Sequence, residues 1–167
     1  MGGWNIAAAP ITGQQVKDLS FLINHTSYVL ATRMSAAFAE IGLAVREYCT
    51  LAHAMEGQYT QIELAKLTDM DKTTMLNTMD FLELSGYAQR TPSPADRRAR
   101  IITVTPAGAE LAKRGHEIAD GVHREILDAL PPGQGEMLTA ALTTLANGLL
   151  AEPQVSDKPV RRARVSG

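Results

Sequence analysis

The sequence predicts a mainly α-helical protein carrying one small β-hairpin, and three observations carry that expectation. Apolar residues recur at helical spacing over long stretches at both ends of the chain. Midway, Tyr59-Thr60-Gln61-Ile62-Glu63-Leu64 has the T-x-x-E spacing of a capping box, and a second short helix follows it closely. Then periodicity changes: a Pro/Ser-led charged turn, PSPADRR, feeds the β-branched run IITVT.

Each element follows from local chemistry. Val16, Leu19, Leu22, Ile23, Val29, Leu30, Ala37, Phe38 and Ile41 predict one helix over 15–41, closed by Gly42. A second helix spans Leu43 to Glu56, with Tyr48, Leu51, Ala52 and Met55 on one face and Gly57 as its stop. Thr60 and Glu63 can each satisfy an orphan amide of a short helix from Gln61 to Thr68, and Tyr59 and Leu64 occupy the hydrophobic-staple positions around it. Asp71 is a good N-cap for a helix over Lys72 to Ser85, which Gly86 closes. Tyr87 to Thr91 and Arg100 to Thr105 read as two paired strands. Thr105-Pro106 opens a long helix to Leu130, Pro131-Pro132-Gly133 breaks the chain, and a last helix spans 135–151. The tail from 152 to 167 has little apolar periodicity and is expected to be mobile and basic.

Composition narrows the class. With 167 residues, 45% hydrophobic and 20% charged, the chain can bury an ordinary core. A single cysteine, Cys49, excludes an internal disulfide framework and a Cys-rich zinc site, and fits a reducing cytoplasm. The start MGGWNIAAAP lacks the pattern of a signal peptide, and no run approaches the roughly 18 apolar residues of a membrane span. Net charge −2 argues against general basicity, but charge is segregated. From Tyr87 to Arg100 four arginines face one aspartate, whereas from Glu56 to Gly86 six acids face two lysines.

Two short helices followed by a hairpin make a winged helix-turn-helix arrangement, whose second helix enters the major groove of DNA. In DKTTMLNTMDFLEL, Met75, Met79 and Leu82 fall on a core face, and Thr73, Thr74 and Asn77 fall on another with donors and acceptors suited to base edges. The competing account is an ordinary solvated helix face. The adjacent basic hairpin favours DNA.

At this point the chain resembles the MarR (multiple antibiotic resistance regulator) family of bacterial transcriptional regulators, over about residues 15–150. The resemblance rests on YTQIELAKLTDMDKTTMLNTMDFLELSGYAQRTPSPADRRARIITVTPAGAEL. This block is similar to the family's T-Q-x-E-L-A, its recognition helix opening D-[RK]-[ST]-T, its L-E-x-x-G-[LY]-[VA]-x-R, and its wing D-R-R-A followed by a strand and L/V-T-x-x-G. The spacing from Gly86 through Asp96 to Gly108 is kept as well. Family membership implies a homodimer whose first and last helices form the dimerisation lobe: 1–42 and 106–151 here, around a DNA-binding lobe at 43–105. It implies double-stranded DNA as partner and a ligand-responsive repressor binding a pseudo-palindromic operator. The DNA-facing set is then Thr60, Gln61, Lys72, Thr73, Thr74, Asn77, Arg90, Asp96, Arg97, Arg98 and Arg100, with Arg98 reaching the minor groove. Family members often carry arginines within the recognition helix, where this chain has Asn77 and Phe81.

Other groups are weighed beside that set. Family effectors lodge between the two lobes, which singles out Trp4, His25, Tyr28 and His53 for a small-molecule effector; core packing accounts for the same residues. His116, Asp120 and His123 share a helix face, but one helix cannot close a tetrahedral site alone, and surface histidines are the simpler account. Cys49 lies away from the family's sensor position, so a buried spectator is expected. Arg161, Arg162 and Arg164 suit either phosphate or solvent. No HExxH, Walker loop, GxSxG or Cys-His dyad appears, so no catalytic residues, metal or cofactor are expected. The alternative function is a winged-helix module for protein–protein contact, which the acidic segment before the hairpin favours.

Overall fold

The computed structural model describes residues 11–13, 17–94, 96 and 99–154. Trp4, Arg97, Arg98 and the tail arginines therefore lie outside the described residues. The order of elements is α1 (Leu19–Ala39), α2 (Val45–Glu56), α3 (Gln61–Leu67), α4 (Lys72–Leu84), β1 (Ala88–Pro92), β2 (Arg100–Val104), α5 (Pro106–Asp128) and α6 (Gln134–Ala146). The chain divides into two compact units, one up to His123 and one from Arg124. Among the described residues no helix is long and apolar enough to cross a membrane.

The first unit contains the core, in which Phe38, Leu51, Leu64, Met75, Met79 and Leu82 are fully buried. Helix α1 starts at Leu19, not at residue 15, because the Asp18 carboxylate accepts the Phe21 N–H at 3.1 Å and caps it there. Of its 21 residues only Met34 and Phe38 are buried. Glu47 reaches back to accept the Ala44 N–H at 2.7 Å, closing the start of α2. The capping box of α3 forms as its spacing predicts: Thr60 N–H donates to Glu63 Oε2 at 2.7 Å and Glu63 N–H donates to Thr60 Oγ1 at 3.3 Å.

The turn between α3 and α4 is a Schellman motif. Met70 N–H donates to the Ala65 carbonyl at 2.9 Å and Asp69 N–H to that of Lys66 at 3.4 Å, with Asp69 left-handed at φ 51°. Gly86, at φ 73°, repeats the motif after α4, where Tyr87 N–H donates to the Leu82 carbonyl at 2.8 Å. That bond takes Tyr87 out of the ladder, so β1 begins at Ala88, one residue later than the sequence pattern suggested. Strands β1 and β2 pair antiparallel from Ala88 opposite Val104 to Pro92 opposite Arg100. The hairpin is tied to the entry of α3 by a bridge between Thr60 and Ile101 and by Ile102 N–H donating to the Tyr59 carbonyl at 2.9 Å.

In the second unit, Gly133 at φ 81° turns the chain into α6, which ends at Ala146 and not at 151 because Asn147 and Gly148 cap it. No residue of α6 is buried, and an open depression of about 870 Å³ lies beside it, lined in part by Leu127, Pro131, Thr139 and Ala140.

Candidate nucleic-acid interface

Helix α4 presents its polar groups because its other side is committed to the core. Met75, Thr78, Met79 and Leu82 are buried, which leaves Lys72, Thr73 and Asn77 exposed and Thr74 half-buried. The first turn is rigidly capped. Asp71 Oδ1 accepts the N–H groups of Thr73 and Thr74 at 2.9 Å each, and its Oδ2 accepts the Thr74 hydroxyl at 2.6 Å. These bonds, the Thr74 hydroxyl first, hold the Asp71 carboxyl below the usual carboxylate range. Glu63 is lowered likewise, first by the Thr60 N–H. Thr74 therefore has its hydroxyl proton occupied within the protein, whereas Thr73 and Asn77 stand outward.

Arg90 departs from the sequence expectation that groups it with the DNA-facing residues. Its guanidinium turns onto α3 and α4: Nη1 pairs closely with Glu83 Oε2, Nη2 donates to Asp80 Oδ1 at 2.9 Å, and Nε and Nη2 donate to Gln61 Oε1 at 3.1 and 3.0 Å. The main-chain N–H of Arg90 also donates to Glu83 Oε1 at 2.8 Å. The physical reason is the reversal at Gly86, which lays the start of β1 alongside the end of α4 and brings one guanidinium within reach of two carboxylates. Gln61 is drawn into the same cluster.

This arrangement explains the acidic segment. Glu63 and Asp71 cap helices, Asp80 and Glu83 pair with Arg90, and Glu56 Oε2 lies 3.2 Å from His53 Nδ1. Asp69 supplies the left-handed turn residue. The acids are structural fittings of the helix-turn-helix, a role that charge counting along the sequence does not reveal.

At the hairpin tip, Ser93 N–H donates to the Ala99 carbonyl and Ala99 N–H to the Asp96 carbonyl, both at 3.0 Å. The Asp96 N–H faces Ser93 Oγ at 3.4 Å, and Arg100 is exposed at the start of β2. Asp96 thus lies at the tip and Arg100 opens β2, while Arg97 and Arg98, between them in sequence, lie outside the described residues.

Trp4 lies outside the described residues, and among those described no hydrogen bond, ion pair or ring contact joins His25, Tyr28 and His53 to one another. His25 stacks on Phe21 with ring centroids 5.6 Å apart, Tyr28 is 69% exposed, and His53 pairs with Glu56. Neither the depression beside α6 nor one of about 250 Å³ between α3 and α4 is lined by them. His116 lies 3.4 Å from Asp120 and 3.3 Å from the Tyr48 hydroxyl, and among the described residues no three metal-capable side chains cluster. Cys49 is half-buried, and burial pushes its thiol pKa up, which suits a spectator.

No family model matches the chain. Solved structures do. A probable transcriptional regulator from Pseudomonas aeruginosa is 28% identical, with 77% of this chain and 99% of that one covered at a TM-score of 0.65. The MarR family protein Rv2887 of Mycobacterium tuberculosis, in complex with p-aminosalicylic acid, is 25% identical over 77% of this chain and 98% of its own, at 0.66. CouR from Rhodococcus jostii RHA1, bound to p-coumaroyl-CoA, is 24% identical over 87% and 100%, at 0.72; the repressor CouR has also been solved on a 23-mer DNA duplex. The capped helix pair and the hairpin agree with these likenesses, and the chain shares the winged helix-turn-helix fold of the MarR family transcriptional regulators among these structures.

Proposed function

We propose that the protein is a homodimeric, sequence-specific DNA-binding regulator of the cytoplasm, a ligand-released repressor acting at a pseudo-palindromic operator, and not an enzyme. One observation carries the reading: α4 holds its core face fully buried while Thr73 and Asn77 project outward from a capped first turn, beside a hairpin whose loop is rich in arginine. The contact set is Thr60, Lys72, Thr73, Thr74, Asn77, Arg97, Arg98 and Arg100, with Asp96 orienting an arginine of the tip. CouR on its duplex supports DNA as the partner, and Rv2887 with p-aminosalicylic acid supports a small aromatic acid as the effector. Dimerisation is supported by the apolar side chains left exposed on α1 and α6, including Leu19, Ile23, Met137 and Leu142.

The protein–protein reading loses its main support once the acids are accounted for as caps and ion pairs. Selection from a random duplex pool, repeated at two salt concentrations, tests the proposal. Enrichment of a two-fold related site with salt-dependent affinity is expected. Recovery of no preferred duplex overturns it.

A further inference from the structure

The five hydrogen bonds of Arg90 join three elements that a DNA-bound winged helix must hold in fixed relation. Its side chain is only 23% exposed, and Nε, Nη1 and Nη2 are all engaged. A guanidinium committed to two carboxylates and an amide oxygen has little donor capacity left for a phosphate. Because a guanidinium donates only, it also selects one orientation of the Gln61 amide, with Oε1 toward Arg90 and the NH2 group as the end Arg90 does not engage. At the main chain, the Arg90 N–H bond to Glu83 fixes where the strand starts against the end of the recognition helix.

We infer that Arg90, Glu83 and Asp80 form a lock that sets the hairpin against the recognition helix, making Arg90 a positioning residue and not a phosphate contact. The inference rests on the DNA reading above. It reverses the sign expected of the two acids: near a phosphate contact Asp80 and Glu83 would oppose DNA binding, whereas in the lock they promote it.

The sign is measurable. The probe is the duplex that the wild-type protein selects from a random pool. Asp80→Asn and Glu83→Gln keep side-chain shape and remove one negative charge each; Asp80 is 60% exposed, so its replacement leaves the core untouched. Each is expected to weaken binding at least threefold, and Arg90→Lys, which keeps charge but loses the fork, at least tenfold. Hydroxyl-radical footprints should show minor-groove protection by the hairpin falling more than the protection of guanine N7 from dimethyl sulfate under the recognition helix, a split that simple loss of folded protein would not produce. Binding by Asp80→Asn or Glu83→Gln equal to or tighter than wild type overturns the lock, as does Arg90→Lys within twofold of wild type or an even loss of both footprints. If the wild-type protein selects no duplex, the DNA reading falls and the lock with it; if it selects one and the acid variants bind it more tightly, the lock alone falls.

Discussion

Gly108 packs so closely on the main chain of Tyr87 that a Cβ added to it would stand 2.0 Å from the Tyr87 carbonyl oxygen. The neighbouring bonds show why the two segments cannot part. Thr105 N–H donates to that same carbonyl at 3.0 Å, the Thr105 hydroxyl donates to the Gly86 carbonyl at 2.7 Å, and Gly108 N–H donates to Thr105 Oγ1 at 3.1 Å. The start of α5 is thereby clamped to the glycine turn that ends α4.

Gly108→Ala is therefore expected to destabilise the protein by at least about 2 kcal/mol, since the obstacle is backbone and not a flexible side chain. Thr105→Ala, which removes the N-cap and the tie to Gly86, should cost about 1 kcal/mol. Urea unfolding followed by circular dichroism checks both. Wild-type stability for Gly108→Ala would mean that the two segments are not packed as described.

Asp69 occupies the left-handed position of the helix-turn-helix turn, which a short polar residue tolerates and a β-branched one does not. Asp69→Gly should leave stability equal to or above wild type, and Asp69→Val should lower it by about 1–2 kcal/mol. The ordering Gly, Asp, Val in urea midpoint is the readout.

The two capping carboxylates predict a particular acid response. Asp71 and Glu63 have lowered pKa values in the folded protein, so between the folded and unfolded values the unfolded chain binds more protons. Their stabilisation is then present above the unfolded values, about 3.9 for Asp and 4.3 for Glu, and is lost as pH falls through the lower folded ones. The double variant Asp71→Asn, Glu63→Gln retains acceptors for the caps but no charge. Its urea midpoint should fall less than that of wild type between about pH 5 and about pH 2.5. Parallel curves for the two proteins would remove the carboxylates from the acid limb.

What the sequence reveals and conceals follows the range of the forces involved. The α3 cap was legible because Thr60 and Glu63 lie three residues apart and solve a local problem, and the core face of α4 because Met75, Met79 and Leu82 keep helical spacing. The Arg90 cluster was not legible, since it depends on a chain reversal that brings residue 90 back upon 83, 80 and 61. For the same reason the acids, counted along the chain, favour a surface for protein–protein contact. The start of α1 was missed because Asp18 caps the helix inside an apolar pattern that extends to residue 16, and the start of β1 because Tyr87 spends its N–H on the end of α4. For His25, Tyr28 and His53 the expectation came from the family resemblance and not from any local pattern in the chain.

Base recognition should divide between neighbouring residues of α4. Asn77 is exposed and carries both donor and acceptor, so Asn77→Ala should relax preference at one base position per half-site by about 1–3 kcal/mol. Thr74 donates its hydroxyl proton to Asp71, and Thr74→Ala should act mainly by weakening the helix start. Pooled selection with each variant, alongside its urea midpoint, separates the two effects. Unchanged base preference for Asn77→Ala would remove it from the interface.

The exposed apolar surface of α6 makes the last prediction. None of its 13 residues is buried, while Met137, Leu138 and Leu142 stand 71%, 43% and 47% exposed. A helix this short gains little stability from backbone hydrogen bonding alone, and needs an apolar face covered by packing. Leu138 and Leu142 lie one turn apart and so share a face, as an interface between two copies requires. The wild-type protein is accordingly expected to sediment as a dimer, and Leu138→Asp with Leu142→Asp to shift it to monomer at micromolar concentration, because each carboxylate would be desolvated without a partner. The dimer's DNA affinity should fall with it, since one half-site alone would be held. Glu136→Gln on the same helix, outside that face, serves as the control and should remain dimeric. A wild-type monomer, or a dimer unaffected by both aspartates, would place the subunit contact elsewhere.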